Sequence, residues 1–251
     1  MIIDFHTYVG HSLLGYSLRP EDLLRSMDEC GIAVSVACPM KGLDPHYLEP
    51  NSYIADLQER HPGRLVGFAR VNPYLGDDAE ATLATAFDRL GLRGLVLHPW
   101  EETFAINDPL VFPLVSMAVE RSLPVMLEAG YPMLSHPLQC ADLAARFPDG
   151  LFVMTHGGQL DSSGWSMTDA EYVMRRHDNI VMETAGFFAD ELLERLPVET
   201  GIGRLVFGSH SPWLNLRLEM KRIQRAHVSD DIRAAMFGGN AARILGLDGK
   251  G

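Results

Sequence analysis

Apolar residues in this chain come in short, nearly unbroken runs. The runs are IIDFH (2–6), IAVSVACP (32–39), LVGFARVNP (65–73), RGLVLHP (93–99), PVMLEAG (124–130), LFVMTHGG (151–158), NIVMETAG (179–186) and RLVFGSHSP (204–212). Continuous β-branched-rich runs of this length mark strands covered on both faces. Their starts lie 25–33 residues apart. Between them the apolar positions shift to helical spacing. RPEDLLRSMDECG (19–31) places Leu23, Leu24 and Met27 on one face and stops at Gly31. DDAEATLATAFDRLG (77–91) opens on acidic residues, which suit a helix N-terminus, and also ends on glycine. Further helices are predicted over 109–121, 137–147, 168–177, 189–196 and 214–226. GGNAARILGL (238–247) reads as a last short helix closing the bottom or side.

Strand and helix in alternation make a parallel sheet. Eight such units in 251 residues predict an α/β fold, a (β/α)8 TIM barrel in a single domain over residues 1–251. The competing open doubly wound sheet requires a glycine-rich phosphate loop after the first strand. The segment TYVGHSLLG that follows has no such loop.

A barrel puts its chemistry at the C-terminal strand ends. Six of the eight runs end in a titratable residue. They are His6 (with Asp4 before it and Tyr8 after), His98, Glu128, His156, Glu183 and His210. Asp4, His6 and Tyr8 are spaced by two, so one strand face is expected to carry all three. Glu128 is the least expected of the set, a carboxylate directly after the apolar Val125–Leu127. A single strand-end histidine is ordinarily a hydrogen-bonded core residue. Four candidates from four strands, all at one end, instead indicate an organised polar site. His11, His46, His61, His136, His177 and His227 fall in loops or helices and read as structural or surface residues.

Charge and cysteine content narrow the class. The net charge of −12 and pI near 5.2 argue against a nucleic-acid surface. Cys30, Cys38 and Cys140 lack zinc-finger spacing and suit a reducing compartment. No run reaches the ~18 apolar residues of a membrane span. The start MIIDFHTYVG lacks a signal-peptide pattern. A cytoplasmic protein acting on a small molecule is expected, with neither nucleic acid nor membrane as partner.

The motifs IIDFHTYVG, RGLVLHP, LPVMLEAG, VMTHGG, VFGSHSPW and GNAARILGL resemble, in order and spacing, the amidohydrolase-related group of the amidohydrolase superfamily. That group includes metal-dependent hydrolases and non-oxidative decarboxylases of the aminocarboxymuconate semialdehyde type. The resemblance implies a distorted (β/α)8 barrel, a homodimer, and one divalent metal ion, commonly zinc. Its ligand pattern is His-x-His on strand one, His on strands five and six, and Asp on strand eight. Here His6 and His156 match. Tyr8 replaces the second histidine, Glu128 stands in place of the strand-five histidine, and His210 stands in place of the strand-eight aspartate. Histidine and carboxylate have in effect traded places.

His6, Glu128, His156 and His210 are therefore the candidate metal ligands, three imidazoles and a carboxylate. His210 or Glu128 is the candidate catalytic acid or base. Tyr8 is a weak fifth ligand, a donor to substrate or a residue of the mouth. His98 is expected to orient substrate or a ligand, and Arg70 to pair with a substrate carboxylate or with Glu128. Trp100 and Trp213 are wall residues for a substrate, ordinary packing being the plainer reading. Asp4 and Glu183 are candidates to hold the ligating histidines by hydrogen bonds. The leading expectation is a metal-dependent hydrolase of a small amide, lactone or related molecule. The alternatives are a non-oxidative decarboxylase of a small carboxylic acid and a non-catalytic or metal-free barrel that binds a small molecule.

Overall fold

The computed structural model describes residues 1–160, 166–187 and 189–248. Eight parallel strands form the barrel: β1 Ile2–His11, β2 Ile32–Pro39, β3 in two pieces (Leu65–Gly67 and Ala69–Arg70), β4 Leu95–Leu97, β5 Val125–Leu127, β6 Phe152–Met154, β7 Ile180–Glu183 and β8 Leu205–Val206. Each pairs with its neighbour in sequence. The ring closes from β1 to the segment after β8. Phe5 N donates to Phe207 O at 2.9 Å, and Thr7 forms a parallel bridge with Ser211. A two-residue strand, Ser17–Leu18, folds back on the end of β1.

The regular ladders are shorter than the apolar runs. β4, β5 and β6 pair over three residues each, and the chain leaves the ladder where His98, Glu128 and Thr155 begin. Within the ladders the period of two holds. Val96, Met126, Val153, Val181 and Val206 fill the barrel interior with Ile3, Phe5, Val36 and Phe68. Their neighbours Leu95, Leu97, Val125 and Leu127 face the helices. A one-residue slip would exchange these two sets, so burial on both faces fixes the register.

The helices are α1 Pro20–Cys30, α2 Leu48–Arg60, α3 Asp77–Asp88, α4 Pro99–Glu102, α5 Phe112–Glu120, α6 Pro137–Arg146, α7 Met167–Arg176, α8 Asp190–Thr200, α9 Leu216–Arg225, α10 Asp230–Ala234 and α11 Asn240–Ile244. Gly31 ends α1 at φ 69°, returning its N–H to the carbonyls of Met27 and Asp28. The pattern of apolar positions gives no helix over 48–60, yet α2 is there. Its core face carries Asn51 beside Ile54 and Leu57. Asn51 bonds both backbone groups of Arg70, accepting from N and donating to O at 2.9 Å each. A polar residue thus serves as a core position and breaks the periodicity. α8 also runs past the expected stop at 196, taking Pro197 inside the helix.

The closing segment lies at the bottom of the barrel. Ala241, Ala242 and Leu245 join the interior cluster with Ile3 and Val34. All three cysteines are free thiols. Among the described residues no helix is long and apolar enough to cross a membrane.

The interior depends on a few large side chains. Phe68 is fully buried and meets Phe5 edge-on, with ring centroids 5.6 Å apart. Truncating Phe68→Ala is expected to cost about 3–5 kcal/mol. Urea unfolding monitored by circular dichroism checks this through the shift in midpoint.

Candidate metal centre and its cleft

Four of the site residues simply continue the inward face beyond the ladder. His98 follows Val96 by two, Glu128 follows Met126, Thr155 follows Val153 and Glu183 follows Val181. His156 and His210 need a different device. Their φ angles are 57° and 49°, in the left-handed region. A non-glycine residue pays about 1–2 kcal/mol for that conformation. The turn at each position swings the imidazole into the barrel mouth.

β1 departs from the expected face. Its register against β2 shifts between Asp4 and Thr7. Phe5 packs inside with Ile3, and the next residue, His6, also reaches the centre. Asp4 is turned aside. It accepts from Ser209 N at 2.8 Å and His6 N at 3.2 Å, tying β1 to β8 rather than facing the mouth. Burial pushes its carboxyl up to about 6, against the hydrogen bonds from Ser209.

Glu128 occupies the centre. Its Oε1 lies 2.6 Å from His6 Nε2 and accepts from the Tyr8 hydroxyl. Its Oε2 lies 3.1 Å from His156 Nε2 and accepts from Thr155 Oγ1 at 3.2 Å. His210 completes the group. Its ring stacks on His6 at 4.5 Å between centroids and meets His156 at the same separation, at 67°. The ligand atoms of His6, Glu128, His156 and His210 all lie within 4.8 Å of one another. Tyr8 is wholly buried beside them, against the rings of His98, His210 and Trp213. Its hydroxyl donates to Glu128 and so braces the carboxylate.

The outer ring nitrogens set what the inner ones can do. His6 Nδ1 faces Glu183 Oε2 at 3.1 Å, and His156 Nδ1 faces the carbonyl of Ala185 at 3.2 Å. Both partners are acceptors, so each Nδ1 carries a hydrogen. In the neutral ring the Nε2 atoms then present lone pairs. These lone pairs point at the oxygens of Glu128, which is itself an acceptor. Acceptors held against one another in a buried site require a positive charge between them, a proton or a metal ion. Among the described residues, His210 Nδ1 is buried without a hydrogen-bond partner. Three imidazoles, one of them with an orphaned nitrogen, and a carboxylate fit a divalent cation. Burial opposes charge on His6, yet Glu128 and Glu183 outweigh it and push the ring up to about 10. Burial would raise the Glu128 carboxyl, but His6 and the bond from His156 hold it well below the usual range. Burial, with His156 and His6 close by, pushes His210 well down.

Glu183 organises this centre from the side. Besides His6 it accepts from His156 N at 3.1 Å and Ala185 N at 2.6 Å. It passes so close to Gly208 that a Cβ there would lie 2.1 Å from Oε1. Only glycine leaves room for it.

The centre opens at His210 into a cleft of about 290 Å³. His98, Trp100, Glu101, Tyr131, His210 and Trp213 line it. Trp213 stacks on His210 at 5.1 Å, and Trp100 lies parallel to Tyr131 at 5.7 Å. Both tryptophans are thus wall residues. His98 accepts the Glu101 N–H at Nδ1, which leaves its hydrogen on Nε2. Burial, then Arg70, lower its pKa and keep it neutral. Arg70 does not reach the cleft or Glu128. It is fully buried and holds Glu101 at 2.6 Å and Glu102 at 2.8 and 2.9 Å. Tyr131 and Glu101 are cleft residues that strand ends do not reveal. Each lies three residues past a strand-end site residue, Glu128 or His98.

Because Glu183 fixes the His6 tautomer and the His156 backbone together, Glu183→Gln is expected to weaken divalent-metal affinity by about 10–100-fold. Competition with a chromophoric chelator measures this directly.

Comparison with known proteins places this geometry. A family model described as amidohydrolase matches residues 43–247. Curated proteins yield no match. Among solved structures, 2,6-dihydroxybenzoate decarboxylase in complex with 2,6-dihydroxybenzoate is similar, with TM-score 0.80, 16% identity and 99% of each chain covered. A dihydroxybenzoic acid decarboxylase from a Polaromonas species, with bound manganese and the inhibitor 2-nitroresorcinol, gives TM-score 0.77 and 14% identity, covering 98% of this chain and 97% of that one. The 5-carboxyvanillate decarboxylase of Sphingomonas paucimobilis gives 0.73 and 16%, covering 97% and 98%. At these identities the likeness is one of fold, and it is a TIM-barrel fold over nearly the whole chain. With four-fifths of its length matched by the family model, the chain belongs to the amidohydrolase family.

Proposed function

We propose that this chain is a metal-dependent, non-oxidative decarboxylase of a small, planar carboxylic acid. The observation that carries the proposal is the state of Glu128. Hydrolysis at this centre needs a carboxylate or imidazole of the ligand set itself left free to take a proton from water. Glu128, the carboxylate at the centre, already faces four donors or ligating groups, and strand eight supplies His210 where the family has aspartate. Decarboxylation has no water to activate. This reverses the order of the two readings taken from sequence, and the similar decarboxylases support the reversal.

In this reading His6, Glu128, His156 and His210 hold the ion. The bound ion supplies a positive anchor for a substrate oxygen. Three imidazoles and one carboxylate suit zinc, while one similar structure holds manganese, so both metals belong in the test. Trp100, Tyr131 and Trp213 offer flat faces to a ring and keep water away from the reacting carbon. His98 presents its Nε2 hydrogen to orient the bound acid. The C–C bond to the carboxyl group breaks, carbon dioxide leaves, and the electron pair left on carbon takes up a proton. His98 is the cleft imidazole placed to relay it from solvent.

Purified protein is expected to hold one divalent ion per chain by plasma mass spectrometry. It should release carbon dioxide from a panel of hydroxybenzoic and heteroaromatic acids. Chelation should abolish the release and zinc or manganese restore it. His156→Ala should lower it by about 10²-fold or more. Hydrolysis of an amide or lactone panel without carbon dioxide release would return the hydrolase reading.

A further inference from the structure

The cleft has a chemical bias that the metal centre does not explain. Glu101 is its carboxylate, and no lysine or arginine stands among its described lining residues. One carboxylate oxygen, Oε2, accepts from Arg70 at 2.6 Å and lies 3.6 Å from His98 Nε2. Among the described residues Oε1 accepts no hydrogen bond. Arg70, behind the wall, and Lys41, which lines the adjoining pocket with Trp100 and Glu101, are already engaged. Arg70 divides its guanidinium between Glu101 and Glu102 and lies over the Tyr47 ring at 5.1 Å. Lys41 donates to Glu102 at 3.2 Å and to the Glu101 carbonyl at 2.8 Å. Two cations and two carboxylates balance, and Arg70 is fully buried. An anionic group at the Glu101 end of the cleft, away from the metal centre, would meet that carboxylate with no cation left to receive it.

The rest of the wall suits a positive charge. Trp100 lies parallel to Tyr131, and Tyr16 meets Trp213 with centroids 5.0 Å apart. Trp100 and Tyr16 are 45% and 44% exposed, an unusual amount of open aromatic surface at one mouth. Aromatic faces attract cations through their quadrupole, and a carboxylate beside them adds a direct partner.

We infer that the cleft recognises a positively charged nitrogen, a protonated amine or a quaternary ammonium, held between the Glu101 carboxylate and the rings of Trp100, Tyr131 and Trp213. The inference deepens the decarboxylase reading and rests on it for the cleft being the substrate site. The substrate class is then a carboxylic acid whose far end carries an ammonium group.

The test reads binding, not turnover. Isothermal titration would compare benzyltrimethylammonium, its uncharged isostere neopentylbenzene and the anion phenylmethanesulfonate. The full chain would be used both metal-loaded and chelator-treated. The cation is expected to bind at least about tenfold more tightly than either comparator in both forms. Glu101→Gln should bring the preference for the cation over the isostere close to unity, and Trp100→Leu should reduce it. Equal or tighter binding of the isostere or the anion to the unaltered chain would overturn the inference, whether or not the variants fold. So would a preference that survives in a folded Glu101→Gln chain. Carbon dioxide release without cation preference sinks this inference alone. Cation preference without carbon dioxide release sinks the decarboxylase reading alone.

Discussion

The mouth of the barrel hangs on one buried carboxylate. Glu128 leaves β5 and gathers His6 and Tyr8 from β1 with Thr155 and His156 from the end of β6. Three strands are thereby tied above the point where their ladders stop. An isolated charge at that depth would be ruinous, and removing one partner from such a group typically costs about 3–5 kcal/mol. The arrangement is stable only as a whole, with a proton or a metal ion shared among acceptors that otherwise repel.

A second charged group stands beside it. Arg70, Lys41, Glu101 and Glu102 neutralise one another on the wall of the cleft, with Tyr47 closing the set through its hydroxyl to Glu102. Asn51 fixes the Arg70 backbone from α2. Tyr8 and His98 feel both groups, Glu128 on one side and Arg70 on the other, while the far end of the cleft takes its character from the ion-pair group. Sequence gives no hint of this grouping, since Arg70 and Glu101 are 31 positions apart on different units.

Much of the frame is legible because it rests on short-range periodicity. Eight apolar runs at a steady spacing translate directly into eight strands, and a period of two carried past each ladder finds His98, Glu128 and Glu183. The same rule fails where the backbone changes hand. By parity Thr155 faces inward and His156 does not, yet a left-handed φ brings His156 in as well. On β1 a register shift places Phe5 and His6 inside in succession and turns Asp4 away. Helix α2 escapes notice because Asn51, a polar residue, sits on its core face. Tyr131 and Glu101 belong to loops, whose path no periodicity encodes.

The left-handed backbone at residue 210 bears on how this site came to differ from the pattern it resembles. Few side chains tolerate that conformation, chiefly asparagine, aspartate and histidine beside glycine. Of these, aspartate and histidine also ligate metals well. The turn thus acts as a filter on substitution: an oxygen ligand and a nitrogen ligand can stand at this position on the same chain path, and little else can. Position 128 directly follows a regular strand, and no positive φ narrows the choice of side chain there.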